Sequence, residues 1–134
     1  MLGRLVRLMR FAGYDVEYDN SADDHVLRKA ARYRVLLTKD RELAASVPDR
    51  RVYFVRTIGG ENQLQEIRQQ FPESDVRPRC LKCNRRIRKI TKTKIEHLIP
   101  PFVYKKYKQF YSCPECKRIY WQGTHFERMS RIMR

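Results

Sequence analysis

No stretch of these 134 residues holds the roughly 20 consecutive apolar side chains that a membrane-spanning helix requires. An export signal is missing too. Met1-Leu-Gly-Arg-Leu-Val-Arg-Leu-Met-Arg10 places an arginine at every third position, which breaks the apolar core such a signal needs. A membrane-spanning helix is thereby excluded, and no export and a cytoplasmic location are expected. Internal repeats and low-complexity segments are also lacking. The scarcest item is negative charge in the second part of the chain. Residues 77–134 hold only Glu96, Glu115 and Glu127 against 17 Lys and Arg, a balance of +14. Residues 1–76 hold 13 basic and 12 acidic side chains, a balance of +1. A hydrophobic fraction of 42% still supports a real core, so wholesale disorder is excluded as well.

What is present divides at the same place. All four cysteines lie after Pro72-Glu-Ser-Asp-Val-Arg-Pro78, a polar, proline-bounded connector. Before it, Leu2, Leu5, Val6, Met9 and Ala12 recur at helical spacing, with Gly13 as a stop. Tyr14 to Tyr18 alternates like a strand. Ser21 is positioned to cap a second helix, with Asp24 as its capping-box partner and Ala22, Val26, Leu27, Ala30 and Ala31 turned inward. Arg34–Thr38 reads as a strand, Arg41–Ser46 as a helix, Arg51–Arg56 as a strand and Glu61–Phe71 as a helix. Such alternation predicts an α/β unit with a parallel sheet.

In parallel sheets the functional crevice lies beyond the carboxyl ends of the strands. Asp19, Asp23 and Asp24 follow the first expected strand, and Asp40 and Glu42 follow the second. Carboxylates converging there suit Mg²⁺ or Mn²⁺, hard ions that prefer oxygen ligands and promote phosphodiester cleavage. Helix capping explains much of the same pattern, because acids also favour the positive ends of helices.

Cys80-Leu-Lys-Cys83, 29 further residues, and Cys113-Pro-Glu-Cys116 form the sharpest motif in the chain. Two such turns close a four-thiolate shell around structural zinc and leave no position open for substrate. Short alternating stretches at Arg86–Ile90, Gln109–Ser112 and Arg118–Gln122 complete the layout of a zinc ribbon. Disulfides would need an oxidising compartment. His25, His97 and His125 are isolated, and a lone histidine more often packs than ligates.

Basic and aromatic side chains interleave from Phe102 to Tyr111. Cations neutralise phosphates and exposed rings stack on unpaired bases, so RNA is the expected partner. Lys105, Lys106, Lys108, Tyr107 and Trp121 are the candidate contacts, although several rings must also fill the small core. Phe126, Met129 and Met133 predict a short terminal helix, with Arg128, Arg131 and Arg134 outward.

Three segments together resemble one known family. They are Met1-Leu-Gly-Arg-Leu-Val-Arg with Gly13-Tyr-Asp, then Leu36-Leu-Thr-Lys-Asp-Arg-Glu-Leu43, then Cys113-Pro-Glu-Cys-Lys-Arg-Ile-Tyr-Trp-Gln-Gly-Thr-His-Phe-Glu-Arg-Met129. The family is the PIN-like ribonuclease domain with an appended zinc ribbon, named for the C-terminal domain of a Mut-type exonuclease. The resemblance implies a PIN-like parallel sheet flanked by helices over residues 1–76. A basic four-cysteine zinc ribbon with a short C-terminal helix follows over residues 77–134. It also implies a Mg²⁺- or Mn²⁺-dependent endoribonuclease. Asp40 and Asp23 match the family's acidic, metal-binding positions, Asp24 is adjacent, and Glu42 is a weaker match. Family members begin with an apolar strand ending in Asp, two residues before the Met-Leu-Gly that here starts the chain. The expectation is therefore either an upstream extension supplying that strand or a divergent form that only binds RNA. Two alternatives to the enzyme stand beside it: a non-catalytic RNA- or ribonucleoprotein-binding module, and a toxin-like nuclease silenced by an inhibitory protein partner.

Overall fold

The computed structural model describes residues 2–19, 21–47, 51–73 and 75–133. Met1, Ser74 of the connector and the expected outward Arg134 lie outside them. By contacts the chain forms two compact units, Met1–Val6 with Glu17–Pro72, and Arg7–Val16 with Glu73–Arg134. The second unit draws in residues 7–16, which a linear cut at residue 76 leaves with the first.

In the first unit, β1 (Leu36–Thr38) and β2 (Val52–Phe54) pair in parallel, with Leu36 opposite Val52 and Thr38 opposite Phe54. Helices α2 (Asp24–Ala30), α3 (Arg41–Ala45) and α4 (Gly60–Gln70) flank them in sequence. Leu43, Val55, Leu64 and Ile67 are buried, the last three completely. Full burial of such side chains contributes about 1.5–3 kcal/mol each. Tyr53 points to the α4 side, where its ring meets Phe71 edge-on at 5.5 Å and its hydroxyl donates to Glu66 at 2.7 Å.

Two expectations fail here, both for identifiable reasons. Ser21 does not cap α2. Its N–H and hydroxyl both turn back to Asp19 Oδ1, at 2.9 and 2.6 Å, and Asp23 takes the cap by accepting from the Val26 N–H. Nor does α2 bury the expected stripe. None of its residues is buried, Val26 is half exposed, and only Ala31 just past its end is enclosed.

The second unit contains residues 7–11 of α1 (Gly3–Phe11), an antiparallel sheet, a 3₁₀ segment Lys92–Leu98, α5 (Pro101–Lys106) and α6 (Thr124–Met133). The sheet runs β3 (Arg88–Ile90), β4 (Phe110–Ser112), β5 (Ile119–Tyr120) in that order. Ile95, Ile99, Val103 and Phe110 form its core, with Tyr107, Ile119 and Trp121 packed against them. Helix α6 buries Met129 and sets Phe126 against Phe11, ring centroids 5.2 Å apart.

Tyr14–Tyr18 is not a strand. The Val16 N–H donates to Asn84 Oδ1 at 2.9 Å, and the Val16 carbonyl accepts from Arg10 at 2.8 Å. Side chains have taken the backbone groups that a ladder would pair. Gly13, just before, has φ +102°, and a β-carbon there would fall 2.1 Å from the Asp75 carbonyl oxygen. The connector is thus built into this unit. Asp75 also bonds Arg77 and Arg86, and the Arg77 side chain heads the hydrogen bonds that hold its carboxyl well below the usual range.

Candidate metal centre and nucleic-acid interface

Each Cys-X-X-Cys turn ends on a residue with positive φ, Asn84 at 66° and Lys117 at 64°. That left-handed step folds the chain back on itself in the same way twice. Asn84 N–H donates to the Cys80 carbonyl and Cys80 N–H to the Arg85 carbonyl, at 2.9 and 2.8 Å. Lys117 N–H donates to Cys113 and Cys113 N–H to Arg118, each at 3.0 Å. Inside the turns, the Cys83 and Cys116 amides point at the first sulfur of their own pair, at 3.4 and 3.5 Å.

The four sulfurs lie within 4.8 Å of one another, with Cys80 and Cys113 buried. None is disulfide-bonded; the 3.7 Å between Cys80 and Cys116 far exceeds an S–S bond of about 2.05 Å. Tetrahedral zinc with bonds of about 2.3 Å places sulfurs about 3.8 Å apart, so the set fits a zinc ion. Electrostatics agree. Burial, then the neighbouring thiols, pushes Cys83 up to about 12, and burial raises Cys113 too. For Cys80 burial works upward, but Tyr120 and the turn amides outweigh it and bring the thiol to about 7. Four thiolates cannot share this space without a cation.

Two further side chains brace the first turn. Arg10 is buried, and its guanidinium donates to the Leu81 and Lys82 carbonyls at 2.9 and 3.2 Å. Tyr120 lies 3.0 Å from Cys80 Sγ and accepts from the Leu81 N–H at 3.2 Å. Such outer contacts fix ligand orientation around a metal. Arg10 carried no signal of this bracing in the sequence beyond its place in α1, because its acceptors in the cysteine turn lie more than 70 residues away.

The acidic candidates sit differently. Asp40 follows β1, with its N–H held by Thr38 Oγ1 at 3.0 Å. Its Oδ1 accepts from the Glu42 and Leu43 amides at 2.9 and 3.1 Å, capping α3. Asp23 Oδ1 caps α2 in the same manner at 3.0 Å. Asp24 and Glu42 are exposed in the first turns of those helices. Among the described residues only the four cysteines bring three or more metal-capable side chains within coordinating reach. Caps occupy one oxygen of each aspartate, and Oδ2 of both has no hydrogen bond among the described residues.

Of the proposed RNA contacts, Lys105, Lys106 and Lys108 are exposed, while Tyr107 and Trp121 are half-buried against the core. Phe102 is the open ring of this run, 70% exposed, one and three to four residues from Val103, Lys105 and Lys106 on the same short helix. Sequence spacing alone gave it no priority over its neighbours. No helix among the described residues is long and apolar enough to cross a membrane.

A family model described as the Mut7-C RNAse domain matches residues 1–133. No curated protein and no solved structure matches the chain.

Proposed function

Because this chain belongs to the Mut7-C RNAse domain family, we propose that it is a metal-dependent endoribonuclease that cleaves RNA phosphodiesters in the cytoplasm. In this reading residues 1–76 are a PIN-like α/β nuclease domain and residues 77–134 a zinc ribbon that captures RNA. The family match over residues 1–133 carries the proposal. The parallel β1–β2 pair and the cysteine turns beside an antiparallel sheet support its two halves.

The division of labour follows from the side chains. Asp40 follows the carboxyl end of β1, and with Oδ1 fixed by two amides its Oδ2 is left for a metal. Asp23 Oδ1 is held by the single Val26 amide, with Asp24 and Glu42 adding negative charge. A divalent ion bound there with substrate would supply water activation and stabilise the leaving oxygen. Lys105, Lys106 and Lys108 attract the strand electrostatically, and Cys80, Cys83, Cys113 and Cys116 hold zinc in a purely structural role.

Asp40→Asn tests the catalytic assignment. Asn caps a helix about as well as Asp, so the variant should keep its thermal stability within about 0.5 kcal/mol. Metal-dependent cleavage of a labelled RNA should vanish. If cleavage survives, Asp40 has no role in it. If the parent chain binds RNA and never cleaves it, the non-catalytic module, which the capping roles of Asp23 and Asp40 favour, replaces the enzyme.

A further inference from the structure

Strand alternation turns Phe54 away from Tyr53 and its contacts with α4, and Arg56 follows two residues beyond the end of β2. Arg41 and Ala44, three residues apart, share one face of α3. These four side chains line an open cavity of about 570 Å³. That is in the range of small-ligand sites, roughly 300–1,000 Å³. The Arg41 guanidinium lies over the Phe54 ring, 4.9 Å from its centroid. Neither Arg41 nor Arg56 makes a side-chain hydrogen bond or ion pair among the described residues, although both are exposed on a shared wall. Among the described residues these two guanidiniums beside a ring have no acid partner and no acid lines the space, which calls for an anion with a flat apolar part.

We propose that this cavity is a nucleotide subsite for single-stranded RNA. Arg41 and Arg56 donate N–H groups to one backbone phosphate, in the fork geometry that suits phosphate oxygens. Phe54 keeps the Arg41 plane in place, and the unpaired base stacks on that plane and against Ala44. The subsite rests on the ribonuclease reading, because Arg41 directly follows Asp40 and would hold the strand at the acidic edge. It adds a contact point in the near-neutral part of the chain, where net charge offers no hint of RNA.

The full chain, with its zinc retained, is tested for binding to a fluorescein-labelled oligouridylate in chelator-free buffer without Mg²⁺ or Mn²⁺, so that no metal-dependent cleavage intervenes. Arg41→Ala/Arg56→Ala should weaken binding about fivefold or more, the effect of losing one stacked base. Lys29→Ala, which removes an exposed cation from α2, should change it less than twofold. Arg41→Lys/Arg56→Lys keeps the charge and the stems, and it should still lose most of the affinity, which guards against a folding defect in the alanine variant. Binding by the lysine variant equal to the parent overturns the proposal, because charge alone would then suffice. Displacement of the RNA by polyglutamate as efficiently as by unlabelled oligouridylate overturns it too. The two readings separate cleanly. Asp40→Asn should bind RNA normally, so a chain that binds but never cleaves loses the catalytic assignment and keeps the subsite. Unchanged binding in the arginine variants with cleavage intact removes the subsite alone.

Discussion

Glu66 offers the most quantitative test of how the first unit holds its strand end. Its carboxylate accepts from Tyr53 Oη at 2.7 Å, Thr57 Oγ1 at 2.7 Å, and the Thr57 and Arg56 amides at 2.9 and 3.1 Å. Burial pushes the carboxyl upward, but these donors outweigh it and bring the value from 4.5 to about 2. At about 1.36 kcal/mol per pKa unit the whole difference is about 3 kcal/mol. Water reaches this half-buried site, and screening reduces the expected contribution to about 1–2 kcal/mol. A carboxylate whose folded value lies below its unfolded one stabilises fully above pH 4.5, and the effect fades as pH falls through about 2. Glu66→Gln should therefore cost about 1–2 kcal/mol at pH 7 beyond a small pH-independent penalty for an amide facing a donor. That excess should disappear near pH 2. Urea titration read at the Thr57 amide resonance reports on this unit, whereas fluorescence of Trp121 reports on the other. An equal gap between the two proteins at pH 7 and pH 2 would refute the charge-based account.

Removing the metal should act on the second unit alone. Native mass spectrometry should find one zinc per chain, and Cys113→Ser or chelation should unfold the β3–β5 region, given apparent structural-zinc energies of about 10–16 kcal/mol; zinc-free protein with an unchanged melting curve would contradict this. Gly13→Ala should destabilise by at least about 1–3 kcal/mol, because φ +102° and the Asp75 carbonyl both exclude a β-carbon, and calorimetry would show it as a lowered Tm. Phe102→Ala should weaken single-stranded RNA binding by about 1–3 kcal/mol without lowering Tm, while Trp121→Ala should lower Tm first. The opposite ranking would place the stacking surface elsewhere.

Local patterns revealed whatever local forces decide. Short apolar runs located β1 and β2, and helical spacing α4, to within two or three residues, and cysteine spacing located the sulfur cluster outright. Tyr14–Tyr18 misled because its alternation is real, yet its backbone is claimed by Asn84 and Arg10, and Asn84 lies 68 residues from Val16. Ser21 and Asp23 are both good caps on paper. The choice between them turned on Asp19, which engages Ser21 and leaves Asp23 to the helix. The Arg41–Phe54 contact was likewise out of reach, since it depends on how α3 lies against β2 rather than on any motif.

The bracing of the first cysteine turn also sets an order of events during synthesis. Residues 7–16 leave the ribosome well before Leu81, Lys82 and Asn84, which Arg10 and Asp15 bond in the folded unit. The sulfur cluster is completed later still, at Cys116. Domains ordinarily fold as they emerge, N-terminal parts first. Here the tail of α1 must wait for the cysteine turns, with the Val16 carbonyl as the nearby acceptor for Arg10 in the meantime. Nascent chains stalled before residue 80 should therefore leave this tail open to proteases and chaperones, and maturation of residues 7–16 becomes tied to that of the cysteine turns.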